Sequence, residues 1–487
     1  MLKDIKKNRI KKLNALKDTG INPYPAKTVR THLTTEAIGQ FAELSKKKKP
    51  ISLAGRIMAI RGHGGSTFVD LMDGSGKIQC YFKEDILKKQ YDFFIEHVDI
   101  GDFIAAEGTL FATKKGEKTL EVKKYRIVVK SLLPLPEKWH GLQDIEERYR
   151  KRYLDLLFNE EAKQKLVLRS KIIDTIRIIL RDEGFLEVET PVLQPIPGGA
   201  LARPFKTHFN ALHSDMYLRV APELYLKRLL AGGFEKIYEM GRAFRNEGMD
   251  RSHNPEFTIL ELYWAYKDYQ ELMEFVEKLV QRLFRTLFGG TRIEYEGFSI
   301  DAKGKWPRVE YDALLEKYAG VSYHESTQTH LQNKAKELGI VVGKTVTKGE
   351  LADEIYKKVV QPKLIRPTFV VHHPIEISPL AKRLESDPGK AARFQLVMGG
   401  VELVNGFSEL NDPQDQLARF KEQQGLKKKG GEEAHPMDKD FVEALEYGMP
   451  PAAGLGIGID RLVAVLTNSH SLREILAFPT MRPRGRK

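Results

Sequence analysis

"FEKIYEMGRAFRNEGMDRSHNPEFTILELYWAY", residues 234–266, reads as two alternating arms around a loop dense in charge. In the first arm Tyr238, Met240 and Phe244 fall on one face, and Glu239, Gly241, Ala243 and Arg245 on the other. In the second, Phe257, Ile259, Glu261 and Tyr263 share a side. A period of two predicts an antiparallel pair joined by a long loop. A solvated hairpin would be polar too, but these flanks aim their polar groups at one surface of a sheet. Gly241 and Ala243 beside Arg245 are expected to leave room for a ligand against the backbone.

Two later stretches supply further pieces of the same kind. In "GLGIGIDRLVAVLT", 454–467, Gly454, Gly456 and Gly458 recur along one strand face, and Asp460 and Arg461 sit where the chain turns into a helix. The spacing is not a dinucleotide fingerprint. Evenly placed glycines let a flat ligand lie on the backbone, and an arginine at a helix N-terminus suits a phosphate. In "GGVELVNGFSELND", 399–412, Asn405, Phe407 and Glu409 alternate on one face. Glu402 lies an odd number of residues earlier. Either a bulge near Gly406 or bending around Gly399 and Gly400 brings it to the same pocket, or it is an exposed acid.

Upstream, "KLVLRSKIIDTIRIILRDEGF" places Ile172, Ile173, Ile176, Ile179 and Leu180 on one helical stripe stopped by Gly184. Pro191 then breaks a strand in a manner suited to an edge or interface. From Ile51 the texture is three short strands, a helix and two more strands, the pattern of a five-stranded oligonucleotide-binding (OB) barrel. On its face Phe68 would stack a base, Gln79 would read a base edge and Arg56 would meet phosphate or base. Residues 1–50 read as a basic helical arm, 51–135 as the barrel, 136–160 as a linker and 161–487 as the larger domain, with a helical insertion at about 300–365. "GLKKKGGEE", 425–433, reads as a loop.

Composition sets outer bounds. The 487 residues call for several domains. Against 66 Asp+Glu stand 79 Lys+Arg, a net +13 that suits a polyanionic partner. The single Cys80 permits no internal disulfide and fits a reducing compartment. No secretory signal or membrane span is expected, which points to a soluble, cytoplasmic protein.

Taken together, "RNEGMDRSHNPEF", "APELYLKRL", "NGFSELNDP" and "PPAAGLGIGIDR" closely resemble class II aminoacyl-tRNA synthetases, and within them the lysyl-tRNA synthetases, from the arm through "FPTMRP". The resemblance implies an α+β fold: an N-terminal OB-fold barrel for the anticodon, and a class II catalytic domain built on an antiparallel sheet flanked by helices. It implies ATP-dependent attachment of L-lysine to tRNA(Lys) through lysyl-adenylate, with Mg²⁺, in a homodimer. By the same likeness Arg245 holds the α-phosphate and the amino-acid carboxylate, Glu247 reads the adenine amino group, and Phe257 stacks on the ring. His253 and Asn254 stand near the nucleotide, and Arg461 clamps the γ-phosphate. Arg245 and Arg461 are the catalytic pair. Glu223 and Glu409 meet the ε-ammonium, Tyr263 and Phe407 hold the alkyl stem, and Gly199, Glu261 and Asn405 orient the α-groups. A charged amine leaving water needs carboxylate partners, so two acids point to lysine rather than aspartate or asparagine.

Two positions depart from the family pattern. Gln395 stands where a second metal-binding glutamate is expected beside Glu402, which predicts a weakened or rearranged metal position. Ser252 precedes His253 where an arginine is expected, with Arg251 one place earlier. Two rival readings remain: a relative that lysylates protein, which would lack the barrel, and an inactive nucleic-acid-binding protein, which Arg245, Glu247 and Arg461 oppose.

Overall fold

A computed structural model describes residues 2–136, 142–341, 346–428 and 437–485. The chain forms two compact units, 1–143 and 144–487.

In the first unit, strands β1 (Ile51–His63), β2 (Ser66–Met72), β3 (Lys77–Lys83), β4 (Phe103–Ala112) and β5 (Lys118–Val129) close a barrel in the order β1-β2-β3-β5-β4. The β3–β5 pair is parallel. The strands alternate because the interior takes Leu53, Val69, Ile78, Phe82 and Val122 while the intervening side chains face outward. The expected barrel is borne out. Residues 2–18 form helix α1 (Leu2–Asp18), which belongs to this unit rather than standing apart. Its Leu16 joins the barrel core. Its Arg9 donates to the carbonyls of Ile100, Ser131 and Leu133.

The second unit is built on an eight-stranded sheet. Its strands are β6 (Leu186–Glu187), β7 (Lys236–Phe244), β8 (Glu256–Ala265), β9 (Arg308–Glu310), β10 (Thr368–Val371), β11 (Arg393–Met398), β12 (Val401–Ser408) and β13 (Ala452–Gly458). They lie in the order β9-β10-β11-β12-β13-β8-β7-β6, antiparallel except at the two ends. One face carries Tyr238, Leu260, Leu262, Leu455 and Ile457 into a core covered by α2 (Glu160–Asp182), α4 (Tyr269–Phe288) and α5 (Ile459–Leu466). Asn159 caps α2, and Gly184 follows it in the left-handed region at φ +81°. The predicted stripe on α2 is the buried one, with Ile173 at its margin. The opposite face of the sheet is left for a site.

The insertion forms helices Tyr311–Ala319, Gln328–Glu337 and Lys348–Ile355 around a core of their own. Helix Pro413–Lys428 runs into the stretch read as the loop "GLKKKGGEE", so the first part of that stretch is helical. Its remainder, and residues 137–141 of the expected linker, lie outside the described residues. Among the described residues no helix is long and apolar enough to cross a membrane.

Candidate active site

β7 and β8 pair with Glu239 opposite Glu261, Gly241 opposite Ile259 and Ala243 opposite Phe257, so the predicted polar face is a single face. β13 lies beside β8 with Gly454, Gly456 and Gly458 opposite Tyr263, Glu261 and Ile259, and beside β12 with Gly454 opposite Phe407 and Gly456 opposite Asn405. Three glycines therefore form a bare floor walled by the side chains of two neighbouring strands. Above that floor is a cavity of about 470 Å³. Each residue assigned above to ATP, lysine or metal lines it, with the exception of Glu409.

Glu402 reaches the cavity through a bulge, and the bulge is at Leu403. Leu396 pairs with Val404 but Val397 pairs with Glu402, so one extra residue turns the acid to the same side as Asn405. This settles the alternatives in favour of a bulge and places it before Gly406. Gly241, expected to leave room for a ligand, instead makes room for the Arg219 guanidinium, which a β-carbon there would strike. Arg219 forms a buried ion pair with Glu239, whose second oxygen accepts from Thr190 Oγ1 at 2.6 Å. That pair stiffens the strand beneath the site.

The loop after β7 is held by Asp250, which accepts from the backbone nitrogens of Ser252 (2.6 Å) and His253 (2.8 Å). Burial pushes the Asp250 carboxyl up, but bonds from His253 and Ser252 outweigh it and hold it below its ordinary range. His253 joins the two sides of the cavity: Nδ1 is 2.9 Å from Asp250, and Nε2 is 3.1 Å from Arg461 Nη2. Arginine only donates, so Nε2 accepts and the ring proton sits on Nδ1. Arg245 lies with its guanidinium 5.0 Å from the Phe257 ring centre, and its buried Nε has no protein partner. Burial above all lowers its pKa. Two guanidiniums thus face one cavity, Arg245 from just after β7 and Arg461 from the first turn of α5. Arg251 does not join them: it pairs with Glu296 at 3.2 Å, and only its neighbour Ser252 lines the cavity.

At the closed end the acids crowd. Tyr263 Oη donates to Glu261 Oε2 at 3.1 Å, and burial raises both groups. Glu409 is 1% exposed and lies over Gly454 on the face shared with Phe407 and Tyr263, where a β-carbon would strike it. Burial pushes its pKa up to about 8. Between Glu409 and Glu223 stands Lys227, a residue not singled out from the sequence, 2.6 Å from Glu223 Oε1 and also paired with Glu409. The signal was present as a Glu–Lys pair four residues apart on α3 (Glu223–Ala231). Also unforeseen are Arg393, which orients Asn405 through Nε at 2.8 Å, and Arg169 of α2, which holds Asp460 at 2.7 Å. The insertion contributes Asp353 and Lys357, paired at 2.8 Å, to the cavity wall.

The metal position differs from a carboxylate pair. Gln395 Nε2 donates to Glu402 Oε2 at 2.9 Å, and its Oε1 accepts from buried His373 at 3.1 Å. Both ends of the amide are thus engaged, and among the described residues no cluster of three or more metal-ligating side chains occurs. The residues do not fit a metal caged by protein. They fit one that arrives on phosphates and takes Glu402 as its anionic ligand.

On the barrel, Phe68 and Gln79 share the outer face, with Tyr81 opposite Phe68 and its ring tilted against it at 4.8 Å between ring centres. Arg56 is engaged elsewhere, over the Phe103 ring at 4.3 Å and on the Gly101 carbonyl. The cation directly opposite Phe68 is Arg61.

Residues 144–482 match the model for tRNA synthetases of class II (D, K and N), and residues 51–128 match the OB-fold nucleic acid binding domain. Among similar proteins, a lysine–tRNA ligase of Pelotomaculum thermopropionicum is 50% identical over 487 residues, covering 99% of this chain and 96% of the relative. Those of Carboxydothermus hydrogenoformans and Moorella thermoacetica are 49% and 48% identical, covering 99% of this chain and 99% and 98% of theirs. The chain belongs to the lysine–tRNA ligase family of class II synthetases, as its motifs foretold.

Proposed function

We propose that the protein attaches L-lysine to tRNA(Lys) with ATP. The lysine carboxylate attacks the α-phosphorus in line, pyrophosphate leaves, and the 3′-terminal ribose hydroxyl of tRNA then takes the lysyl group from the adenylate. The observation that carries this reading is one cavity with two guanidiniums, Arg245 and Arg461, over the glycine floor and a carboxylate cluster at its closed end. Fixed positive charge at the reacting phosphorus stabilises the negative charge gathered in the transition state, and no side-chain nucleophile is required. Glu247 and Phe257 take the adenine. Glu223 meets the ε-ammonium, with Glu409 beside it over Gly454. Glu402 would hold Mg²⁺ carried on the nucleotide phosphates, and the ion would there neutralise phosphate charge.

The remaining parts follow the same reading. Phe68, Gln79 and Arg61 make the anticodon face of the barrel, and the domains are the arm, barrel and catalytic region delimited above. The exposed apolar side chains Val167, Ile178, Leu186, Val192 and Leu193, near the sheet's outer strand and the preceding helix, suit burial in a homodimer. The setting is cytoplasmic. Lysine-dependent exchange of pyrophosphate into ATP tests the first half-reaction, and charging of a tRNA pool tests the second. No exchange at saturating lysine would leave an inactive nucleic-acid-binding protein as the better account.

A further inference from the structure

Lys227 is fully buried and does not line the cavity, yet its ammonium sits between the two acids of the amino-acid end. It is paired to Glu223 Oε1 at 2.6 Å and to Glu409. Its remaining side faces the Phe407 ring, 5.3 Å from the nitrogen, and the Phe441 ring at 6.0 Å. A buried charge is costly unless compensated, and two buried carboxylates this close would hold a proton between them. Burial raises both Glu223 and Glu409, and Lys227 is the group that draws each of them back. Burial lowers Lys227 in turn, but the two carboxylates outweigh it and keep it charged.

We infer that Lys227 is the internal counter-ion of the amino-acid pocket, a positioning residue that orients Glu223 and Glu409 and makes their joint ionisation attainable when the substrate ammonium arrives, so that the ionised pocket offers it one negative charge. The inference rests on lysine being the substrate. The count is simple: two carboxylates and one ammonium leave a single negative charge, and the incoming ε-ammonium completes a neutral quartet. A neutral side chain of equal length would leave that charge buried and unpaired, which is the stronger basis for rejection. Other charges bear on the cluster: Glu261 and Tyr263 from β8, Arg393 from β11, and the Arg219–Glu239 pair below, which is itself balanced. None of them bridges the two acids as Lys227 does.

Pyrophosphate exchange measured across pH separates this role from a merely structural one. In Lys227→Met the acids lose their counter-ion, so the pH at which lysine kcat/KM reaches half its plateau should move upward by about one unit or more. Lys227→Arg should keep the original midpoint, and the KM for ATP should hold in both. A uniform loss at every pH with an unmoved midpoint would overturn the inference. A second comparison covers failure of the single variant to fold. Glu409→Gln leaves Glu223 and Lys227 cancelling each other, so lysine affinity should fall about tenfold or more. Adding Lys227→Met to it returns one free negative charge and should recover part of that loss. A double variant weaker than Glu409→Gln alone would overturn the proposal. Absence of lysine-dependent exchange in the unaltered protein would overturn the functional reading and this inference with it.

Discussion

Gln395 and Glu402 meet through a single amide-to-carboxylate hydrogen bond of 2.9 Å, with His373 behind the glutamine. The carboxylate of Glu402 is thereby held on one oxygen by a neutral donor rather than set beside a second carboxylate. Gln395→Glu should steepen the dependence of ATP affinity on magnesium, because two adjacent acids need a cation between them. In metal-free buffer the same variant should be less stable, by about 1–3 kcal/mol, since a buried carboxylate would repel half-buried Glu402, which also loses its donor. Magnesium titration of ATP binding, with thermal melts with and without metal, checks both halves. An unchanged magnesium dependence would show that this position plays no part in metal binding.

Arg461 enters the cavity from the first turn of α5 and donates toward His253 and the Glu402 carbonyl. Lysine at that position keeps the charge but loses the fork. Arg461→Lys should slow adenylate formation by about a hundredfold or more while the KM for lysine stays within a fewfold. Single-turnover formation of the adenylate is the direct measurement. An effect confined to KM would argue that the guanidinium serves ground-state binding.

Two glycines of the floor should behave differently under the same change. A β-carbon at Gly454 would strike Glu409 and the Tyr263 ring, whereas at Gly456 its nearest contacts are ordinary ones, 3.5 Å from Ile259 and 3.8 Å from Glu261. Gly454→Ala should therefore displace the acid and abolish lysine binding. Gly456→Ala should fold as the parent does and lose affinity only where a flat ligand lies on the strand. Calorimetric titration with each substrate distinguishes them. Equal behaviour of the two variants would refute the placement of Glu409 over Gly454.

The pH dependence of stability follows from Glu409. Its carboxyl is raised in the folded state, mainly by burial, to about 8. A raised group contributes its stability in full below its unfolded pKa, and that contribution is lost as pH climbs through the folded value. Melting temperature of the unliganded protein should accordingly decline between about pH 4.5 and about pH 8 through this group. The stabilisation given by added lysine should grow across the same interval, as the ammonium selects the ionised acid. Glu409→Gln should flatten both trends, and persistence of either trend in that variant would assign it to another group.

On the barrel, Phe68 packs against the tilted ring of Tyr81, and Arg61 stands opposite Phe68 while paired with Asp70 at 2.6 Å. Loss of one base-stacking ring costs about 1–3 kcal/mol. Phe68→Ala and Arg61→Ala should each raise the KM for tRNA and leave lysine-dependent exchange untouched, while Arg56→Ala should act less on tRNA and more on the barrel's stability. Charging assays beside exchange assays read this split, and a drop in exchange would place the residues elsewhere.

Local periodicity made much of this protein legible in its sequence. Because side-chain direction alternates with the backbone, the face shared by Glu239, Arg245, Phe257, Glu261 and Tyr263 could be read from spacing alone, as could the core stripe of α2, the five barrel strands and the three glycines. The family motifs then marked the residues that line the cavity. What spacing could not reach depends on neighbours distant along the chain. The extra residue at Leu403 that turns Glu402 inward appears only when β12 is paired with β11. Gly241 was seen as small, but only the packed sheet shows that the space belongs to Arg219. The position of Arg61 rather than Arg56 beside Phe68 is a matter of register between two strands. Lys227 is the clearest case: along the chain it is the single lysine of a short, mostly apolar helix. Only folding, which buries it between Glu223 and Glu409 where water cannot screen the three charges, decides that it sets the charge of the pocket.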